Sequence, residues 1–293
     1  MPAHHLSAKW RQVKTKRTRK TPATVAPKSV ALPETVRQRL EQARREAIDF
    51  AALEYLYASV PPLRSVIDAH PPPHFLACDV FTVLVQAIVW QQVSARAAAK
   101  LWPRLVEVLE TQVPGSIRRS MPHLYVNPGP LASIPDPALL RAAGIPQSRC
   151  AAIVEAARAF HAKPDLYHNW NDSIEDDEVV RRLCCLRGVG EWTAHMVLMF
   201  AMRRMNVLPV GDLGVRRGFA VVFDLKPDAR REQGAAGRRS VLPSPDAVKK
   251  FASSAACGNG RFLTVVSYYM WRAAGADVLV PDGTLVPDLA STV

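Results

Sequence analysis

Two glycines one residue apart, Gly188 and Gly190, join two stretches of helical spacing. One ends in Cys184-Cys185-Leu186 and the other runs through apolar residues from Glu191 to Arg204. Glycine lets a chain turn tightly between two helices and lets a ligand come close to the backbone. The amides after Gly188 face outward at the start of the second helix, where an anion is favoured. The chain carries 38 Lys and Arg against 26 Asp and Glu, a formal net charge of +12, so a nucleic-acid phosphate is the natural anion. A plain helix pair with glycine caps fits the same residues. The surrounding sequence has to decide between the two.

Farther along lies Leu208-Pro209-Val210-Gly211-Asp212-Leu213-Gly214-Val215-Arg216-Arg217-Gly218-Phe219. Asp212 falls where a helix begins, which suits an ordinary N-cap. The same place keeps a carboxylate charged and ready to stabilise developing positive charge.

The rest of the pattern is helical. Helices are expected over 34–58, over two or more segments within 79–110, and over 137–143, 147–162, 175–185, 191–204, 213–223, 246–256 and 262–274. Within 79–110 the interruption falls near Pro103 or at Gln91-Gln92. Pro61-Pro62 ends the first helix, and Pro71-Pro72-Pro73 closes a short one after it. Residues 112–135 read as irregular, and 112–130 and 226–245 as flexible insertions. No alternating strand stands out, so the body reads as all-α, a helical domain over 34–293.

Charge is uneven. Residues 1–33 hold eight Lys and Arg and no Asp or Glu, without apolar periodicity: a disordered basic arm. It accounts for +8 of the +12, so any DNA-binding face on the body must be local. Lys14 to Lys20 could serve as a nuclear import signal, a phosphate clamp or a solubilising tail. A mitochondrial presequence is also compatible with the lack of acids.

Five cysteines (Cys78, Cys150, Cys184, Cys185, Cys257) include no Cys-x-x-Cys pair. They offer no zinc or iron–sulfur ligand set and read as ordinary buried thiols. No apolar run reaches the ~18 residues of a membrane span, and no secretory signal is evident. A soluble, intracellular, monomeric protein is expected.

The segment Leu-x-Gly-Val-Gly-x-Trp-Thr-Ala at 186–194, then an apolar helix, then Asp212, resembles the helix–hairpin–helix/Gly-Pro-Asp superfamily of DNA glycosylases. Residues 87–98 (Ala-Ile-Val-Trp-Gln-Gln-Val-Ser-Ala-Arg-Ala-Ala) resemble a segment of its 3-methyladenine DNA glycosylase II branch. So do Ala142 to Pro146 with the helix after them, and Ser267 to Arg272. The resemblance spans about residues 80–275, in four segments in the correct order. Departures are Val210-Gly211 for Gly-Pro, Trp90 for a small residue, and Arg261-Phe262-Leu263-Thr264 for Pro-aromatic-Arg-Ser. The four-cysteine iron–sulfur signature of other branches is absent from the sequence.

The resemblance implies two helical subdomains flanking an active-site cleft. It implies a monofunctional enzyme that takes alkylated purines out of double-stranded DNA, as the first step of base excision repair. Such an enzyme flips the base and hydrolyses its N-glycosidic bond. Asp212 would be the catalytic carboxylate. Trp192 and Phe262 are base-pocket candidates, with Tyr268 and Trp271 behind them, and each could instead belong to an ordinary core. Gln91, Gln92, Gly188, Val189, Gly190 and Thr193 are the DNA-binding candidates, though either glutamine could instead cap a helix. His195 reads as a core histidine. No cofactor and no side-chain metal site is implied, and a monovalent cation could sit at the hairpin carbonyls. A non-catalytic DNA-binding protein would have no reason to keep Asp212. A bifunctional glycosylase/lyase would carry a lysine two residues after the second hairpin glycine, where this chain has Trp192. No Lys occurs between Lys163 and Lys226.

Overall fold

A computed structural model describes residues 50–73, 79–120, 123–167, 170, 173–227, 242–275, 278–279 and 285–286. The basic arm, the first part of the 34–58 helix and most of the 226–245 insertion lie outside the described residues.

Twelve α-helices are described. They are α1 (Phe50–Ser59), α2 (Arg64–Ala69), α3 (Val80–Trp90), α4 (Ala95–Gln112), α5 (Pro128–Ala132), α6 (Gln147–Ala162), α7 (Pro164–Tyr167), α8 (Asp176–Cys184), α9 (Glu191–Phe200), α10 (Leu213–Phe223), α11 (Pro245–Ala252) and α12 (Leu263–Ala273). Short 3-10 turns cover Pro61–Leu63, Pro137–Ala143 and Ala255–Gly260. Five of the twelve helix starts carry a side-chain cap that occupies an orphan amide. Asp79 accepts from the Thr82 amide, Ser94 from Ala97, Asp212 from Val215 and Ser244 from Ala247. Helix α8 places Asp176, Asp177 and Glu178 in its first turn and Arg181 and Arg182 in its last, matching the helix dipole.

The helices form two groups. In one, α3 packs on α6 and α9, α5 on α6, and α4 on the 137–143 turn. In the other, α10 packs closely on α12, α12 on α2, and α1 and α11 on the 255–260 turn. The first and last parts of the described chain thus build one group together, and one continuous apolar core runs through both. Thr264 at the start of α12 fastens the groups, donating to the Arg204 carbonyl and accepting from the Val207 amide at 3.0 Å.

Two expectations need correction, and one open alternative is decided. Residues 112–130 are not an irregular insertion: β1 (Ile117–Ser120) and β2 (His123–Val126) pair antiparallel, and α5 follows. Buried Val126 anchors this hairpin, its amide donating to Thr82 Oγ1 at 2.8 Å. Four-residue strands are too short to show alternation above the background. A second short pair joins β3 (Val278–Leu279) to β4 (Leu285–Val286). Pro103 does not interrupt α4; it lies inside the helix on the exposed face, where water can reach the carbonyl it leaves unpaired. Of the two places expected, the break falls at Gln91-Gln92, between α3 and α4. Finally, Cys150 and Cys257 are buried thiols, but Cys184 and Cys185 are exposed where α8 turns into the glycine pair. No helix among the described residues is long and apolar enough to cross a membrane.

Gly218 sets the spacing of α10 and α12: a Cβ there would lie 2.2 Å from the Met270 carbonyl oxygen and 2.5 Å from Met270 Cα. Backbone cannot yield as a flexible side chain does. Gly218→Ala is therefore expected to cost about 3 kcal/mol of stability, read as a lower urea midpoint with an unchanged slope. A midpoint equal to that of the parent chain would show that the helices tolerate a wider separation.

Candidate active site

The glycine pair forms the tight turn expected. Gly188 has φ +75°, and a Cβ there would meet the Ala152 Cβ of α6 at 2.8 Å, so only glycine fits both the backbone and the space. Gly190 caps α9, its carbonyl accepting from the Ala194 amide at 3.1 Å. The amides of Glu191, Trp192 and Thr193 begin α9 without intrahelical acceptors, a ready anion-binding end. Two candidate DNA-binding side chains are not at the surface. Val189 and Thr193 are buried; Thr193 can offer a phosphate only its backbone amide, and the Val189 amide is already donated to the Leu186 carbonyl at 3.1 Å.

The two glutamines part company. Gln91 turns inward, and its Nε2 donates to the Gly188 carbonyl at 2.8 Å and to Thr193 Oγ1 at 2.9 Å. Gln92 has φ +52° and an exposed side chain. That conformation is costly for a residue with a Cβ and is held by the structure around it. Gln92 alone of the pair is free to reach into a duplex.

Asp212 caps α10 and does more. Its Oδ1 accepts from the Val215 amide at 2.9 Å and from Trp271 Nε1 at 2.9 Å. Its Oδ2 accepts from Trp192 Nε1 at 2.8 Å. N–H donors on both oxygens match an acceptor-only, ionised carboxylate, and an open lone pair remains on Oδ2. Asp212 and Trp192 are half-buried and Trp271 nearly fully so. Trp271 stacks on Phe200, with ring centroids 6.3 Å apart and planes 12° apart. The start of α9, the start of α10 and the end of α12 therefore meet at one carboxyl group flanked by two indoles.

Phe262 and Tyr268 are placed elsewhere. Phe262, at φ +56°, packs edge-on against Tyr55, and Arg261 lies over both rings at 5.3 and 4.6 Å. Tyr268 is buried with its hydroxyl donated to the Pro71 carbonyl at 3.1 Å, and burial pushes its pKa up to about 12. It belongs to the core. His195 is half-buried, and desolvation lowers its pKa. Its ring faces Glu191 at 3.7 Å, away from the Asp212 hydrogen bonds.

Sequence reading missed Gly214, where a Cβ would sit 2.8 Å from Trp271 Cδ1 and 3.1 Å from Asp212 Oδ1. Together with Gly218 it makes a Gly-x-x-x-Gly face on α10, a spacing that signals close helix approach. Leu213, beside the carboxylate, is 62 % exposed; nothing in its residue type pointed to that.

Among the described residues no group of His, Cys, Asp and Glu could hold a metal ion. The site offers a carboxylate, two indole faces and a phosphate-sized cluster of amides, which suits charge stabilisation next to an anchored polyanion.

The chain is similar in sequence and in fold to known proteins. Over 156 residues the chain is 27 % identical to a DNA-3-methyladenine glycosylase of Saccharomyces cerevisiae, covering 53 % of this chain and 50 % of that protein. It is 25 % identical to DNA-3-methyladenine glycosylase 1 of Schizosaccharomyces pombe over 103 residues, 35 % of this chain and 37 % of the relative. The chain thus spans half or less of the length of these curated relatives. The fold is similar to that of an S. pombe 3-methyladenine DNA glycosylase solved with abasic DNA. There the TM-score is 0.59 at 19 % identity, over 76 % of this chain and 95 % of that one. It is also similar to a 3-methyladenine DNA-glycosylase of Archaeoglobus fulgidus, with a TM-score of 0.54 at 21 % identity over 81 % and 73 % of the two chains. Residues 85–243, more than half of the chain, match the family model described as HhH-GPD superfamily base excision DNA repair protein. Those residues contain Gln91, the glycine turn, Trp192 and Asp212, and the chain belongs to the HhH-GPD superfamily.

Proposed function

We propose that this chain is a monofunctional DNA glycosylase that removes alkylated purines from double-stranded DNA. The observation that carries the reading is the Asp212 carboxylate, gripped by Trp192 and Trp271 next to a helix start that can anchor a phosphate. The names of the relatives support the alkylated substrate.

The reaction begins with binding. A phosphate docks on the Glu191–Thr193 amides, and the exposed Gln92 enters the space left as the damaged nucleotide rotates out of the stack. An alkylated purine is electron-poor and often cationic, so the electron-rich faces of Trp192 and Trp271 attract it. As the C1′–N bond breaks, its electron pair leaves with the base and the sugar becomes oxocarbenium-like. The Asp212 charge stabilises that cation without having to reorganise, because three N–H groups already fix the carboxylate. Oδ2 keeps a lone pair that can orient water. The water oxygen attacks C1′ and loses a proton, leaving an intact abasic site.

Asp212→Asn is expected to slow single-turnover base release about a hundred- to a thousandfold while binding of abasic DNA persists, since Asn remains a competent N-cap. Near-parental release by this variant would favour a non-catalytic DNA-binding role or another catalytic group. Trp271→Phe keeps an aromatic face but removes one donor to Oδ1; release is expected to fall about tenfold, the scale of one hydrogen bond to a charged group. An unchanged rate would mean that the indole serves only for packing.

Trp192 stands where a lyase would carry its lysine, so the nucleophile is water and no Schiff base forms. Borohydride treatment during turnover is expected to trap no protein–DNA adduct, and strands should break only after alkali. A trapped adduct would overturn the monofunctional assignment.

A further inference from the structure

The notable feature left unused by the mechanism is the inward-turned Gln91. It ends α3 with its backbone at φ −53°, ψ 132°, immediately before the exposed Gln92. Its single amide nitrogen holds both the carbonyl of Gly188 and the hydroxyl of Thr193, one on each side of the turn. The same junction is closed from a third direction by α6. Arg149, in the first turn of α6, donates to the Val89 carbonyl at 3.2 Å, and Ala152 fills the space that a side chain at 188 would need. The end of α3, the glycine turn and α6 therefore form a closed triangle, and Gln91 is its polar edge.

The geometry points to Gln91 as a positioning residue that locks the 92–94 loop to the glycine turn, so that the element entering the duplex and the element gripping its phosphate move as one body. The inference rests on the glycosylase reading above and adds a residue that need not touch DNA. Holding a nucleotide out of a duplex requires two contacts at fixed separation, because deformed DNA pushes back on whatever deforms it. Were the loop able to drift relative to the turn, phosphate binding would no longer be coupled to extrusion of the base. Thr193 also precedes Ala194 in the first turn of α9 and follows Trp192, so the lock reaches the helix start that carries one of Asp212's donors.

Three variants separate this role from a direct DNA contact. Gln91→Met keeps the length and loses both donors; Gln91→Glu sets an acceptor against the Gly188 carbonyl; Thr193→Val removes the other acceptor. Hydrogen exchange of the free protein is read at the Val189 and Ala194 amides, which bond to Leu186 and Gly190 across the turn. The Val266 amide in α12, bonded to Phe262, is the reference. Protection at 189 and 194 is expected to fall about tenfold in Gln91→Met, more in Gln91→Glu, and not at 266. In single-turnover release from methylated DNA, Gln91→Met is expected to lose about tenfold more on duplex than on single strands, where no stack has to be opened. The Gln91→Met and Thr193→Val losses should be non-additive, since they break one shared contact.

Unchanged protection at 189 and 194 overturns the proposal, whatever the activity. Equal losses on duplex and single-stranded DNA overturn it as well, because a general weakening of the fold would act on both. If the parent protein releases no base from either substrate while Gln91→Met still exposes the turn, the glycosylase reading fails and the lock stands.

Discussion

Three helix ends converge on the two oxygens of one carboxylate, and the site has no shape without that convergence. Asp212 starts α10 by capping it, fixes the first turn of α9 through Trp192 and fixes the last turns of α12 through Trp271. A half-buried carboxylate left without donors would carry a large desolvation cost. Here the groups that satisfy it are the aromatic walls themselves. The chemistry and the architecture therefore use the same hydrogen bonds: whatever loosens an indole also leaves the charge unsupported.

Such convergence needs helices that come unusually close. Gly214 and Gly218 lie on one face of α10, and each is opposed by α12 at a distance no Cβ could share. Gly188 does the same between the turn and α6. These three positions let backbone stand where side chains would otherwise separate the helices. Burial on this scale is shared by one core spanning both groups, so the two groups cannot separate without exposing apolar surface.

Much of this was legible in the sequence, and what was not has physical causes. Helices α6 and α10 run from 147 to 162 and from 213 to 223 as the apolar spacing indicates, because long amphipathic repeats carry a strong signal. Asp212 was legible as a helix start by its residue type and place, and as a catalytic candidate through the resemblance to the glycosylase superfamily. The β1–β2 pair was not, since its anchor is a distant residue, Thr82 of α3, whose hydroxyl accepts from the Val126 amide. Nor was the division of labour between Gln91 and Gln92: identical neighbours in sequence differ only by a φ of +52° that tertiary contacts impose. Tyr268 fits an aromatic wall by type, and only the Pro71 carbonyl beside its hydroxyl shows that it is core.

The pairing of early with late helices bears on how the protein is made and lost. Helices α1 and α2 lean on the 255–260 turn and on α12, so the group that supplies Trp271 is assembled from contacts some two hundred residues apart, such as Tyr55 with Gly258. Loops that long close slowly. The glycine turn, with its neighbours α8 and α9 adjacent in sequence, can form well before α1 and α2 find the 255–260 turn and α12. A chain folded only through its middle would thus present the anion-binding helix start while lacking the Trp271 half of the carboxylate clamp.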